Sequence, residues 1–293
     1  MTDATPEAAM DEGLNLAEVE RIVYTALAED LGDPPRDVTS EATIGAHQTD
    51  TAELVARAAG VVAGLPVAAE VFAVTSGGTA SFDQRVPEGA RVAGGDVLAV
   101  VTGPTRALLT AERTALNLLC RMSGVATHTR RWADELAGTK ATVLDTRKTT
   151  PGLRYLEKYA VRVGGGTNKR MGLYDVAMIK DNHKLAAGSI SAAYRLVRER
   201  FPDVAVQVEV TTLAEAQEAI EAGATFLLCD NTTPELLRSI VEHVGDRAEL
   251  EATGNLTLET ASAYAATGVD YLSVGGLTHS SPILDIAMDL RVA

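Results

Sequence analysis

The sequence is poor in the residues that mark several classes of protein. Only Cys120 and Cys229 are cysteines among 293 residues, and they lie far apart, so neither a disulfide framework nor a thiolate zinc site is indicated. We expect two buried, reduced thiols. The apolar run at 204–210 is interrupted by polar residues and is far shorter than the roughly 20 apolar residues of a membrane helix. The chain is therefore expected not to span a membrane.

The sequence also lacks an excess of positive charge. Its 26 Lys and Arg residues are outnumbered by 40 Asp and Glu residues, and the net charge of −14 argues against nucleic acid and anionic membranes as partners. Residues 1–12 contain neither a basic start nor a long apolar stretch. No signal or transit peptide is therefore expected, and a cytoplasmic location is predicted.

Positive charge is nevertheless concentrated in one part of the chain. Residues 140–184 contain ten basic and four acidic residues, although the chain as a whole is acidic. Because arginine pairs bidentately with carboxylates and phosphates, this basic segment indicates capture of a small, multiply charged anion. A solvated basic helix face is the alternative interpretation.

Short apolar runs alternate with helical patterns from residue 141 onward. We predict strands at 142–144, 176–179, 204–210, 225–228, 249–252 and 269–274. Helix starts are predicted at Thr150, Thr212 and Thr233. Polar or glycine residues follow each strand, as they do at the mouth of a (β/α) barrel. The pattern predicts an α/β fold with a small, incomplete (β/α) barrel of about six or seven strands, with an open doubly wound sheet as the alternative.

The first 120 residues have a different pattern. Helical segments at 14–31 and 65–74, a strand at 53–60 and a hairpin at 90–101 predict an N-terminal α+β sandwich domain. A helix at 105–122 is expected to lead into the barrel. We therefore predict a sandwich domain at 1–120 and a catalytic barrel domain at 121–280, with the tail at 281–293 packing on the sandwich.

Candidate binding residues follow the predicted strands. Arg147 and Lys148 come directly after a strand and before a predicted helix start, which suits an anion pocket. The glycine-rich segment 164–171 is only a weak phosphate-loop signal. Glycine-containing turns at 253–255 and 273–276 could present backbone amides to phosphate or could be ordinary turns, and His279 could assist there. His47, His128 and His243 are interpreted as structural.

Two acidic residues lie in apolar surroundings. Glu209 is inside a predicted strand and Asp230 ends the next one. A carboxylate in a buried strand is costly unless it is paired, binds a metal or stabilises developing positive charge. A structural salt bridge is the alternative for Glu209. Acids opposite several cations suit an anionic substrate whose transition state is cationic.

Several segments together resemble the quinolinate phosphoribosyltransferase family. They are Glu-Arg-Thr-Ala-Leu-Asn at 112–117, Asp-Thr-Arg-Lys-Thr-Thr-Pro at 145–151, the glycine-rich segment at 164–175, Met-Ile-Lys-Asp-Asn-His at 178–183 and Val-Glu-Val at 208–210. The resemblance covers nearly the whole chain. It implies a cytoplasmic pentosyltransferase of NAD biosynthesis, which converts quinolinate and phosphoribosyl pyrophosphate to nicotinate mononucleotide, pyrophosphate and carbon dioxide.

The resemblance also implies site residues, Mg²⁺ and a homodimer in which Arg113 reaches the partner's barrel mouth. It implies catalytic roles for Lys148, Lys180, Glu209 and Asp230, with the two acids also near Mg²⁺. The implied substrate-binding residues are Arg113, Thr146, Arg147, Lys148, Lys169, Arg170, Lys180, Glu209, Asp230, Thr253, Gly254, Asn255, Val274, Gly275, Gly276 and His279.

Lys169 departs from the family pattern, because the family commonly has histidine there. Lys169 is expected to act as an anion ligand, or else the substrate preference has moved. Two alternatives therefore stay open: a paralogue of the molybdenum-transport-associated type acting on another base, and a non-catalytic phosphoribosyl-binding protein.

Overall fold

A computed structural model describes residues 13–291 of the chain. The contacts divide the chain into two compact units. The first unit includes the described parts of 1–128, 150–164 and 281–293, and the second includes 129–149 and 165–280. Within residues 13–291, no helix has the length and apolar character needed to cross a membrane.

The elements are numbered in chain order. The helices are α1 (Leu16–Leu31), α2 (Val38–Thr43), α3 (Leu65–Ser76), α4 (Thr105–Glu135), α5 (Arg154–Val163), α6 (Asp181–Ala187), α7 (Ile190–Arg200), α8 (Leu213–Glu221), α9 (Pro234–Val244), α10 (Leu258–Ala265) and α11 (Gly276–His279). The strands are β1 (Thr49–Ala56), β2 (Gly60–Val61), β3 (Ser81–Gln84), β4 (Arg91–Val92), β5 (Val97–Pro104), β6 (Thr142–Leu144), β7 (Val176–Ile179), β8 (Ala205–Val210), β9 (Phe226–Asp230), β10 (Glu249–Thr253), β11 (Tyr271–Ser273) and β12 (Ile286–Arg291).

The first unit is built on an antiparallel sheet with the order β12-β1-β5-β3. Alternate residues of β1, such as Ala52 and Leu54, are fully buried, which is the pattern of a sheet with one face on a core. The strand β12 lies in the predicted C-terminal tail, and it pairs with β1. Residues 292–293 of that tail lie outside the described residues.

The predicted hairpin at 90–101 is wrong. Strand β4 pairs with β2, whereas β5 pairs with β1 and β3. The turn between them is bonded to the end of β1: the Gly95 amide donates to the Ala56 carbonyl at 2.8 Å, and the Ala56 amide donates to the Asp96 carbonyl at 3.0 Å. These bonds direct β5 onto β1 instead of back onto β4.

Helix α4 is longer than predicted. Beyond the expected end at 122, the buried side chains of Val125, Ala126 and Trp132 continue the apolar face, so nothing stops the helix before Glu135. The predicted domain boundary after residue 120 falls inside this helix, and the contacts change units after His128.

The second unit contains a parallel six-stranded sheet with the order β6-β11-β10-β9-β8-β7. The first strand thus lies beside the last, as in a (β/α) barrel, while β6 and β7 form no ladder with each other among the described residues. At this open edge Leu144 bridges to Thr167. The predicted α/β class, with a parallel sheet and a separate antiparallel N-terminal unit, is confirmed.

Helix caps position the polypeptide after the strands. The predicted starts at Thr212 and Thr233 are confirmed, since the Thr212 hydroxyl accepts from the Glu215 amide and the Thr233 hydroxyl accepts from the Leu236 amide. The predicted start at Thr150 is wrong. Its amide and hydroxyl both donate to the buried Glu157 carboxylate, at 2.9 and 2.7 Å, and α5 begins only at Arg154.

Candidate active site

Arg147 follows β6 and Arg170 precedes β7, and their guanidinium charges are near enough to act on each other. Burial lowers the pKa of Arg170, and the neighbouring charge of Arg147 lowers it further. The Arg170 Nη1 donates to the Val176 carbonyl at 2.9 Å, which fixes this side chain at the start of β7. Two like charges held side by side are unfavourable alone and are complementary to an anion with two charged groups.

The turn that carries Arg170 is anchored to the end of β6. The fully buried Asp145 accepts from the Asn168 Nδ2 at 2.6 Å and from the Lys169 amide at 2.9 Å. Hydrogen bonds of this kind stabilise the charged form of a buried carboxylate. Asp145 and Asn168 therefore organise the glycine-rich segment, which was predicted only as a weak phosphate loop.

The side chain of Lys169 does not join Arg147 and Arg170. Its ammonium forms an ion pair with Glu251 in the middle of β10, and the two side chains are 8% and 2% exposed. The expectation that Lys169 binds a substrate anion is therefore not supported, because a buried carboxylate already balances its charge.

Lys180 and Glu209 form an ion pair after the neighbouring strands β7 and β8. The Lys180 Nζ lies 3.1 Å from the Glu209 Oε2, and the carboxylate is almost buried, with 8% of its side chain exposed. The alternative of a salt bridge at Glu209 is thus realised, although its partner is half exposed rather than buried. A carboxylate with a single lysine partner keeps the capacity to stabilise further positive charge.

Lys184 contacts the backbone of Glu209 and was not among the predicted site residues. Its Nζ lies 2.7 Å from the Asp181 carboxylate, 2.8 Å from the Glu215 carboxylate and 3.2 Å from the Glu209 carbonyl. These contacts tie α6 and α8 to the end of β8.

Asp230 lies at the end of β9, next to the predicted phosphate turn that follows β10. The Asn231 Nδ2 donates to the Asp230 carboxylate at 2.9 Å, and the Asn231 amide donates to the Thr253 carbonyl at 2.9 Å. Asn231 and Asn255 both have positive φ values, of 50° and 51°. Such backbone strain clusters at binding sites.

Glycine is required at the centre of this turn. Gly254 has a φ of 98°, and a Cβ there would overlap the Asn231 side chain and lie 3.0 Å from the Asn231 amide nitrogen. The turns after β9 and β10 therefore fit together only with glycine at this position.

Lys148 and His279 meet at the turn after β11. A Cβ at Gly275 would lie 3.1 Å from both the Lys148 Cδ and the His279 Nε2. The Thr278 hydroxyl donates to the Lys148 carbonyl at 2.8 Å, and the Val274 amide donates to the Leu144 carbonyl at 3.0 Å. The turns after the first and last strands of the sheet are thus joined. Thr146, whose hydroxyl accepts from the Lys148 amide at 3.0 Å, and Gly276 also lie in these two turns.

Most of these groups lie at or just beyond the carboxyl ends of strands in one parallel sheet, and Arg170 follows Thr167, which bridges to Leu144 at the end of β6. We call this region the mouth. It comprises Thr146, Arg147, Lys148, Arg170, Lys180, Glu209, Asp230, Asn231, residues 253–255 and residues 274–279. The structure adds Asp145, Asn168, Lys184 and Asn231 to the predicted residues. Asn231 could have been found from its position directly after Asp230, since asparagine tolerates positive φ. Arg113 lies exposed on α4 in the first unit.

The described residues contain no group of three or more His, Cys, Asp or Glu side chains arranged to hold a metal ion. Of the histidines interpreted as structural, His128 shares a 2.9 Å hydrogen bond with Ser281, and His47 and His243 are exposed. The two cysteines are free and buried, as predicted. Burial raises the pKa of the Cys229 thiol to about 12, so it is not a nucleophile at neutral pH.

Comparison with known proteins agrees with the predicted resemblance. Residues 37–123 match the family model for the N-terminal domain of quinolinate phosphoribosyl transferase, and residues 125–289 match the model for its C-terminal domain.

Individual relatives cover nearly the whole chain. A nicotinate-nucleotide pyrophosphorylase [carboxylating] of Mycobacterium leprae is 48% identical over 92% of this chain and 95% of its own length. A probable nicotinate-nucleotide pyrophosphorylase [carboxylating] of Bacillus subtilis is 41% identical over 96% of both chains. The solved structure of NadC from Streptococcus pyogenes is 37% identical and superimposes with a TM-score of 0.90 over 99% of each chain. The chain belongs to the quinolinate phosphoribosyltransferase family.

Proposed function

We propose that this protein is a quinolinate phosphoribosyltransferase, a pentosyltransferase that acts on quinolinate and phosphoribosyl pyrophosphate. The products are nicotinate mononucleotide, pyrophosphate and carbon dioxide, in the de novo synthesis of NAD. The observation that carries the proposal is the proximity of Arg147 and Arg170, whose like charges match the two carboxylates of quinolinate.

The mouth suits the transfer step because its acids stand among cations. The pyridine nitrogen forms a bond to the anomeric carbon of the donor while the bond from that carbon to pyrophosphate breaks. Positive charge develops on the ribose ring, and Glu209 and Asp230 are the carboxylates at the mouth that would stabilise it. Lys180, which is paired with Glu209, and Lys148 would balance the negative charge of the leaving pyrophosphate.

The turns after the last strands are our candidates for holding the 5′-phosphate of the donor. Residues 253–255 and 274–276 contain three glycines and a left-handed asparagine, Asn255, and we assign their backbone amides as the donors to this phosphate. Arg147 and Arg170 then remain for the pyridine dicarboxylate.

Decarboxylation needs no separate electron sink. Once the ring nitrogen is bonded to ribose it is positively charged, and that charge stabilises the carbanion left when the adjacent carboxylate departs as carbon dioxide. A proton then completes the product.

The donor is expected to bring Mg²⁺ with it. The carboxylates of Glu209 and Asp230 suit a Mg²⁺ held mainly through pyrophosphate, because this ion typically takes one or two carboxylates plus substrate phosphates and water. When bound, it would neutralise charge on the leaving group. Glu209 and Asp230 would then orient the donor through its metal-bound end.

We also propose a homodimer in which Arg113 of one copy reaches the mouth of its partner. The exposed side chain of Arg113 is available for such a contact. In the second unit, Leu173, Tyr174 and Leu185 are between 74% and 82% exposed, more than large apolar side chains usually are on a monomer. A second copy would cover them. A cytoplasmic location is supported by the substrates, since multiply charged phosphates do not cross membranes unaided.

The test is incubation with phosphoribosyl pyrophosphate, Mg²⁺ and either quinolinate or nicotinate. We expect nicotinate mononucleotide and an equal amount of carbon dioxide from quinolinate alone. Formation of nicotinate mononucleotide from nicotinate instead would indicate that the protein has the related, non-decarboxylating activity. Binding of the donor without turnover of either acid would favour the phosphoribosyl-binding alternative, which has little use for Glu209 and Asp230 beside the cations.

A further inference from the structure

The interior of the parallel sheet contains a buried polar cluster that the proposed reaction does not use. The Lys169 ammonium pairs with Glu251, and the fully buried Gln207 donates from its Nε2 to the Glu251 Oε2 at 2.8 Å. The same ammonium lies 4.2 Å from the centroid of the Phe226 ring. This cluster connects residues of β8, β9 and β10 to a residue of the glycine-rich segment.

The cluster lies deeper than the mouth. Glu251 is in the middle of β10 and is registered with Leu228, whereas Phe226 begins β9. The mouth acid Asp230 is registered with Thr253, at the far ends of the same two strands. The Lys169 ammonium therefore pairs with a residue one layer beneath the mouth acids, and we expect it to act on substrate through another residue.

The backbone of Lys169 is fixed as firmly as its side chain. Its amide donates to Asp145 at the end of β6, and the preceding Asn168 side chain donates to the same carboxylate. The Thr167 amide donates to the Val143 carbonyl at 2.9 Å. Lys169 is thus bound to β6 through its backbone and to β10 through its side chain, and the next residue in the chain is Arg170.

A buried ion pair is weak evidence for a role in stability, because well-packed apolar residues often replace one without loss. The geometry of such a pair nevertheless fixes the position of its partners, because a buried carboxylate can be neutralised only by a cation held at one particular place. We propose that Lys169, Glu251 and Gln207 form a latch that holds the 164–175 segment so that Arg170 faces Arg147. Lys169 is then a positioning residue and not a substrate ligand. This inference rests on the proposed function for the identity of the bound acid.

The decisive comparison is between Lys169→Met, Glu251→Gln and the double variant. We expect both single variants to raise the KM for quinolinate, by roughly tenfold to a hundredfold as for a misplaced binding group, with little change in the KM for phosphoribosyl pyrophosphate. The double variant should be no worse than either single one, because the latch is already open. Lys140→Met removes a lysine charge elsewhere in the second unit and should leave both constants unchanged.

Two kinetic results would overturn the latch. A rise in the KM for quinolinate in Lys169→Met alone, with Glu251→Gln normal, would mean that Lys169 contacts the substrate directly. A lower melting temperature in both single variants, with an unchanged KM for quinolinate, would mean that the pair is only structural. If Lys169→Met does not fold, Gln207→Leu tests the same cluster, because it removes the hydrogen bond from Gln207 to Glu251.

Amide hydrogen exchange without substrate separates this proposal from the proposed function. Peptides covering 164–175 should exchange faster in both single variants, while those covering α8 should not change. Unchanged protection of 164–175 would refute the latch whatever the enzyme's activity. If the wild-type protein failed to use quinolinate but the protection was lost, the proposed function would fall and the latch would stand.

Discussion

The two ends of the parallel sheet in the second unit both carry several cations, but the cations have different surroundings. At the amino ends of the strands, which we call the base, a cavity of about 800 Å³ is lined by Lys140, Arg198, Arg247 and three acidic residues. Lys140 lies 2.6 Å from the Asp270 carboxylate, Arg198 donates to the Val204 carbonyl just before β8, and Arg247 donates to the Val244 carbonyl at the end of α9. Each of these cations therefore has a structural use.

At the mouth, in contrast, the charges of two arginines, Arg147 and Arg170, act on each other. The pKa of Arg170 is lowered first by burial and then by the charge of Arg147, which is the mark of cations held together against their own repulsion. The mouth also has asparagines at positive φ, a strained conformation. The comparison teaches that the number of charges does not identify a site. What identifies it is an arrangement of like charges that is complementary to an anion.

The sharpest way to break this comparison is to remove one arginine from each end. Arg147→Ala at the mouth should abolish measurable quinolinate binding, because truncating one member of a close charge pair costs about 2–5 kcal/mol, or roughly 30-fold or more in Kd. Arg198→Ala at the base should bind quinolinate normally. Isothermal titration calorimetry measures both.

Circular dichroism of the Arg147→Ala protein serves as the folding control for this pair. If folded Arg147→Ala protein bound quinolinate with the wild-type affinity, the assignment of the carboxylate site would be wrong. Equal losses in the two arginine variants would show instead that the effect is one of overall charge.

A second pair of variants compares acids at the two ends. Glu209→Gln keeps the size of a side chain that is almost buried but removes its charge. We expect kcat to fall on the order of a hundredfold with a smaller change in KM, because the charge is needed most when the ribose becomes cationic. Glu249→Gln, at the exposed start of β10, should retain wild-type kinetics. Steady-state assays of pyrophosphate release measure both constants, and near-normal turnover of Glu209→Gln would remove that residue from the mechanism.

Much of the fold could be predicted from local sequence. The strands β6 and β7 were predicted at their observed bounds, because short apolar runs between polar turns are typical of buried strands. The starts at Thr212 and Thr233 followed from capping chemistry. The predicted helix start at Thr150 was wrong because the amide and hydroxyl of Thr150 donate to the buried carboxylate of Glu157, seven residues further along the chain. No pattern of neighbouring residues reveals that competition.

The candidate site was harder to predict, because sequence shows where charges occur but not where side chains point. The basic segment 140–184 indicated one anion pocket, yet its lysines have separate uses. Lys140 lies at the base, Lys169 is paired inside the sheet and Lys184 braces α6 and α8. These three lysines pair with Asp270, Glu251 and Glu215, each on a distant segment, so only the folded chain distinguishes them from Arg147 and Arg170.

A smaller effect is expected from glycine substitutions at the two ends. Gly254 at the mouth and Gly245 at the base both have positive φ, but a Cβ at Gly245 would meet nothing within 4 Å. Gly245→Ala should therefore cost only the strain of its backbone conformation, φ 56° and ψ −139°, which L residues rarely adopt, about 1–3 kcal/mol of unfolding free energy. Gly254→Ala adds a collision with Asn231 and should raise the KM for phosphoribosyl pyrophosphate more than that for quinolinate. Urea unfolding and steady-state kinetics measure the two effects. Equal kinetics in both variants would argue against a phosphate site at this turn.

A further comparison of stability uses one lysine at each end. Lys184 is 10% exposed and has three oxygen partners, whereas Lys140 is 62% exposed and pairs with Asp270. Lys184→Met should lower the unfolding free energy by about 1–3 kcal/mol, the usual range for a hydrogen bond to a charged group, whereas Lys140→Met should change it by less than about 0.5 kcal/mol.

The pH dependence of stability gives an independent measure of the Lys184 cluster. Burial works to raise the pKa of Glu215, but hydrogen bonds from Lys184 and Thr211 outweigh it, and the pKa lies below its usual value. A carboxylate with a depressed pKa stabilises the folded state above its unfolded-state pKa, and this contribution is lost as the pH falls. The unfolding free energy of the wild-type protein should therefore fall more steeply than that of Glu215→Gln between about pH 5 and pH 3. Parallel urea titrations at these pH values test this difference, and identical slopes would mean that the cluster, like the Lys140 pair at the base, contributes little to stability.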